Sequence, residues 1–144
     1  MKEFVAIEDD EMRAWRQILY FIKQDVAALN RYFWEKAGTL AELKDDLPTC
    51  PGVYKISDGV NTYIGRAIKK GGLKTRLKEH ISKPHKEWGT NEERGRFVVE
   101  IHSMENDEEG RLWAIIVEST LISSERPNLN KKGKRGKLQL PENF

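Results

Sequence analysis

The chain has 144 residues, 38% of them hydrophobic and 33% charged, with a formal net charge of +2 and a single cysteine. That size and balance suit one domain with a genuine buried core and exclude a disordered or fibrous chain. Cys50 alone excludes an internal disulfide and a cysteine-built zinc site. No apolar run approaches the roughly 20 residues a bilayer span needs. MKEFVAIEDD carries acids where a signal peptide would carry its apolar stretch, so the cytoplasm is the expected compartment and no membrane partner is expected.

From the N-terminus, residues 9–35 predict an amphipathic helix. Trp15, Ile18, Ile22, Val26, Leu29 and Phe33 recur at steps of three or four and share one face. Gly38 is the predicted stop, and this segment is expected to form a helical extension over residues 1–38, packed on the remainder. A dimer interface through residues 9–35 is the alternative, with a monomer the expected state. A second, short helix is predicted from Thr39, with Glu42 three residues on in a capping-box pattern and Pro48 and Pro51 closing it.

GVYKISDGVNTYIGRA, residues 52–67, predicts a β-hairpin, because Asp58-Gly59 is a preferred pair for a two-residue type I′ loop. Strands at 52–57 and 60–65 follow, with Ser57 facing Val60, Lys55 facing Thr62 and Tyr54 facing Tyr63. The two tyrosines would then stand directly opposed with Cβ atoms roughly 5 Å apart. A cross-strand aromatic pair that only stabilises the hairpin would look the same. Gly71-Gly72 precede a helix expected at about 73–83, with Leu73, Leu77 and Ile81 as its apolar stripe and Arg76 and His80 on the adjoining edge.

Residues 84–95 are polar and read as a loop, whose Trp88 and Arg94 are candidates for target recognition with the N-terminal helix and the tail, while alternating Phe97, Val99 and Ile101 predict a third strand. His85 and His102 fit no pattern and are read as structural or surface residues. A last helix is predicted from Asp107 to Ser124, and a glycine- and lysine-rich tail at 133–144 follows. Within that helix Glu118 is flanked by Ala114, Ile115, Leu121 and Ile122, so its carboxylate must be paired, coordinated or protonated. An arginine across the core would satisfy it, and so would a hard cation such as Mg2+. Arg76 and His80 together suit phosphate binding and proton transfer, or a solvated basic helix face.

Charge is unevenly placed: residues 66–83 hold 7 basic residues against 1 acidic, and residues 126–137 hold 6 against none. Such clusters are the footprint expected of a polyanion-binding surface, and equally of a solvated one.

Gly52-Val53-Tyr54, Tyr63-Ile64-Gly65, Arg66, Arg76 with His80, Glu118 and Pro127-Asn128-Leu129-Asn130 occur in that order. Over about residues 40–132 this series resembles the GIY-YIG nuclease family. Valine stands in place of the central isoleucine of the first motif, and Gly71-Gly72 lengthen the link to the helix. The resemblance implies an α/β domain of the α+β type at residues 39–132, with a small three-stranded, mainly antiparallel sheet flanked by helices. It further implies a metal-dependent endonuclease hydrolysing DNA, duplex or branched. Tyr54, Tyr63, Arg66, Arg76, His80, Glu118 and Asn130 would form the site, with one Mg2+ or Mn2+ ion on Glu118. Lys69, Lys70, Lys74, Lys131, Lys132, Lys134 and Arg135 would contact backbone phosphates. The alternative is a nucleic-acid-binding module that keeps the fold without cleavage.

Overall fold

The computed structural model describes residues 34–130 and, upstream of them, Arg13 alone. The predicted helix at 9–35 lies outside the described residues apart from Arg13, which is helical, Trp34 and Glu35, and the basic tail lies outside them altogether.

The described residues form a mixed α/β fold with a four-stranded, wholly antiparallel sheet in the order β1-β4-β2-β3. The strands are β1 (Glu35–Thr39), β2 (Gly52–Ser57), β3 (Thr62–Ala67) and β4 (Val98–Ser103). Three α-helices accompany them: α1 (Gly72–Ser82), α2 (Asn91–Gly95) and α3 (Glu108–Glu125). A 3-10 turn, Lys86–Trp88, lies between α1 and α2. No helix among the described residues is long and apolar enough to cross a membrane.

The fourth strand corrects the expected count, and it comes from residues assigned to the N-terminal extension. Glu35–Thr39 pair with β4, so the boundary drawn at Gly38 falls inside a strand. The helix expected from Thr39 is absent. Its capping contact is made, with Thr39 Oγ1 accepting from the Glu42 backbone N–H at 3.1 Å, but that bond closes a turn rather than opening a helix. Backbone bonds from Leu40 to Phe97 and from Ala41 to Gly95 hold the turn against the neighbouring segment instead.

The hairpin forms with a longer loop than the sequence implies. Ser57 pairs with Thr62, Ile56 with Tyr63 and Tyr54 with Gly65. Asp58 explains the change: its carboxylate accepts from Val60 N–H at 2.9 Å and Asn61 N–H at 2.7 Å, while its own N–H reaches Asn61 O. Satisfying those amides stabilises a four-residue loop over the tighter alternative. The tyrosines are therefore diagonal neighbours rather than opposed, their ring centroids 6.2 Å apart. A two-residue shift preserves strand parity, so both still share a face.

Each face of the sheet carries its own core. On one, α3 packs Leu112, Ile116, Val117 and Leu121 over Val53 and Ile64. On the other, Leu73 and Leu77 of α1, with Trp88 and Phe97, cover Tyr54, Ile56, Tyr63 and Val99. The expected α1 stripe needs one correction: Ile81 is exposed and His80 is buried in its place. Beyond α3, Pro127–Asn130 return along the outer edge of β3. Asn128 Oδ1 accepts from Thr62 N–H, Leu129 N–H donates to Thr62 O, and the Asn130 amide both accepts from Ile64 N–H and donates to Ile64 O.

Candidate functional site

Glycine at position 65 makes the first half of the site. A Cβ there would stand 2.4 Å from the Tyr54 hydroxyl oxygen and 2.9 Å from a Tyr63 ring carbon. Its absence lets the Tyr54 ring lie across β3 and reach α1, where the Tyr54 hydroxyl meets His80 Nε2 at 2.7 Å. Both groups are buried, Tyr54 fully and His80 at 4% exposure. Burial, and next the neighbouring Tyr63, push the Tyr54 phenol well above its ordinary range against the opposing pull of Arg76. The same burial, helped by the Arg76 and His85 charges, lowers His80 to about 3. At neutral pH the pair is thus a protonated phenol and a neutral imidazole, with Tyr54 able to donate to Nε2.

Arg76 lies one helical turn before His80 on α1 and ion-pairs with Glu79 at 2.9 Å. Burial disfavours its charge, but Tyr54 and Glu79 more than offset that, and it stays a cation. Arg76 and Glu79 border a cleft of about 380 Å3, which Arg66, Lys69, Lys70, Gly72 and Thr75 also line.

The second half of the site reaches the cleft from the opposite face of the sheet. Glu118 on α3 is fully buried, and its Oε1 accepts from Arg66 Nη1 at 3.2 Å. Of the two outcomes expected for this carboxylate, an arginine partner is present. Arg66 is a quarter exposed, so it joins the buried carboxylate to the open cleft. Glu118 is also near enough to the Tyr54 phenol for its charge to disfavour the phenolate.

The structure thus brings Tyr54, Tyr63, His80 and Arg76 together on one face and Arg66 with Glu118 on the other. Arg66 and Arg76 share the cleft. Asn130 does not have a free amide directed at the cleft, since both its polar atoms bind the backbone of Ile64. Lys69 and Lys70 are exposed on the cleft rim and Lys74 is half-buried on α1. Lys131, Lys132, Lys134 and Arg135 lie outside the described residues.

No group of three or more His, Cys, Asp or Glu side chains converges as a metal site among the described residues. Glu118 is a single buried carboxylate paired with Arg66, which lines a cleft rich in cations. A lone carboxylate is compatible with Mg2+, which keeps several waters and takes further oxygens from a bound phosphate.

Beside His80 the structure places His85, read from the sequence as a structural or surface residue, and Trp88, read as a candidate for target recognition in the 84–95 loop. His85 stacks on Trp88 with ring centroids 4.4 Å apart and planes 13° apart. Its centroid lies 5.1 Å from that of His80 and 6.0 Å from that of Tyr63. Trp88 is buried and continues the stack onto Phe97 at 5.8 Å. The available signal was Trp88 itself, a large apolar side chain within the otherwise polar PHKEWGTNEERG.

Comparisons with family models, curated proteins and solved structures found no match to this chain.

Proposed function

We propose that the protein is a metal-dependent phosphodiesterase of the GIY-YIG type, cutting DNA at the cleft between β3 and α1. One observation carries the reading. Two arginines from opposite faces of the sheet, Arg66 held by Glu118 and Arg76 beside the Tyr54–His80 pair, line a single cleft together with Lys69, Lys70 and Thr75.

Phosphodiester hydrolysis needs a positioned water, stabilisation of charge on the non-bridging oxygens and support for the leaving oxygen. Arg76 and Arg66 neutralise the phosphate, with the planar guanidinium fork matched to two oxygens. Glu118 is the residue that would hold a divalent ion, which supplies Lewis-acid polarisation of the phosphate when bound. The two tyrosines take different parts. Tyr54, buried and held protonated, fixes His80 and supports the floor of the site. Tyr63, at 8% exposure, is the tyrosine better placed to orient the attacking water by a hydrogen bond.

The test is cleavage of supercoiled plasmid and of a branched duplex in Mg2+ or Mn2+, comparing wild type, Glu118→Ala and an EDTA control. Nicking that disappears in both controls supports the reading. Salt-sensitive DNA binding by both proteins with no cleavage of either substrate supports the binding module instead.

A further inference from the structure

The buried imidazole of His80 uses one nitrogen and leaves the other idle: Nε2 meets Tyr54, while Nδ1 is buried with no hydrogen-bond partner. An unpaired polar atom at such depth is costly and rare enough to need a reason. The nearest ring able to supply a partner is His85. The two imidazole centres are 5.1 Å apart with their planes 32° apart, close enough for a reorientation of the rings to bring a nitrogen of His85 within hydrogen-bond reach of His80 Nδ1. Stacking on Trp88 fixes the plane of His85.

We propose that His85 is a positioning residue of this site: by accepting from, or donating to, the idle Nδ1 of His80, it sets the direction of the Tyr54–His80 hydrogen bond. The polarity of the chain follows from its outer end. Glu87 Oε2 faces His85 Nδ1 at 3.8 Å, and a carboxylate only accepts, so the hydrogen of neutral His85 is favoured on Nδ1. Its Nε2 is then an acceptor, His80 donates from Nδ1, and His80 Nε2 accepts from the Tyr54 hydroxyl. With the His80–His85 bond closed, donation runs one way, from the buried phenol through His80 to His85, whose Nδ1–H is turned toward the exposed Glu87.

Protonation of His85 reverses this order, because an imidazolium has only donors. His80, still neutral, then moves its hydrogen to Nε2 and donates to Tyr54, which turns its own hydroxyl hydrogen elsewhere. The groups facing His85 are Glu87, which favours the cation, Arg76 and Arg94, which disfavour it, and the neutral rings of His80 and Tyr63. Burial leads the sum and holds His85 below the ordinary histidine range.

The experiment is long-range 1H–15N correlation on the full chain labelled at histidine, which reads which ring nitrogen carries hydrogen. At neutral pH, His80 is expected to show a protonated Nδ1 and an acceptor Nε2. As the pH falls through the His85 titration and before His80 itself titrates near 3, the pattern inverts. His85→Phe keeps a flat ring on Trp88 without nitrogens and should abolish the Nδ1–H preference, while His85→Asn, whose amide oxygen can accept, should restore it. The opposite pattern in wild type, or a His80 tautomer that ignores both pH and His85→Phe, overturns the proposal. The wild-type titration decides the matter even where the variant does not fold.

The consequence for cleavage rests on the proposed function, whereas the tautomer does not. In a cutting enzyme, His85→Phe should lower kcat about tenfold with KM little changed, and His85→Asn should recover part of the loss. Unchanged kcat despite an altered tautomer overturns the positioning role, and a chain that cuts no DNA overturns the nuclease reading alone.

Discussion

The two faces of the sheet solve one problem in different ways. Each buries a polar group in an apolar core beside the same cleft. Over α3 the group is a carboxylate, and a guanidinium from β3 meets it as an ion pair. Over α1 the groups are a phenol and an imidazole, both neutral and joined by a hydrogen bond within a stack of aromatic rings. The first arrangement is electrostatic and depends on a partner open to water. The second is geometric and depends on the packing of the rings around it. A site at the edge between them can combine a mobile charge with a fixed hydroxyl.

That contrast can be broken most severely from the charged side. Arg66→Ala removes an ion-pair partner from the fully buried Glu118 carboxylate and should cost about 3 kcal/mol of stability. Glu118→Gln should cost less, since Arg66 can turn into the solvent of the cleft, and urea unfolding of the two variants measures the asymmetry. On the neutral side the lever is pH. His80 binds its proton at about 3 when folded and near 6.5 when unfolded, so between those values the unfolded chain holds more protons. Stability is therefore fully present above about pH 6.5 and is lost as the pH falls through that window. Tyr54→Phe should lift this dependence only in part, because burial of the ring persists.

Smaller effects sharpen the comparison. Tyr54→Phe removes the partner of His80 Nε2 and should cost about 2 kcal/mol. Tyr63→Phe, whose hydroxyl makes no hydrogen bond among the described residues, should stay within about 0.5 kcal/mol. If the two tyrosines proved equal in thermal unfolding, the distinction between a supporting and a water-facing hydroxyl would fail. One change of opposite sign, a gain, is expected away from both faces. Arg126 caps α3 in the left-handed region at φ 49°, so Arg126→Gly should stabilise the fold by about 1 kcal/mol.

The sequence revealed the faces of this fold better than its registers. Alternation along 52–57 and the arrangement of Tyr54 and Tyr63 fix the side to which each residue points, and a two-residue change in pairing leaves that untouched. The loop length escaped because it was decided by the Asp58 carboxylate capturing two amides, a local bond competing with the backbone turn. Thr39 and Glu42 show the reverse case. The capping bond was legible and is made, but pairing of Glu35–Thr39 with β4 determined the segment, a tertiary contact no local pattern contains. Glu118 was legible because a carboxylate among apolar helix neighbours must be answered by something. The place of His85 was not, since it is set by the chain turning after α1 to lay Trp88 beside His80, a tertiary arrangement.

The return of Pro127–Asn130 along β3 has a consequence for how the molecule avoids its own kind. An outermost strand offers a row of unpaired amides and carbonyls on which a second copy could extend the sheet. Here two asparagine side chains imitate a neighbouring strand and occupy the groups of Thr62 and Ile64. The seal is made by residues 66 positions further along the chain, beyond α3. A nascent or clipped chain ending before Pro127 would present an open β3 and should self-associate in a concentration-dependent way, visible as dimers or larger species by light scattering.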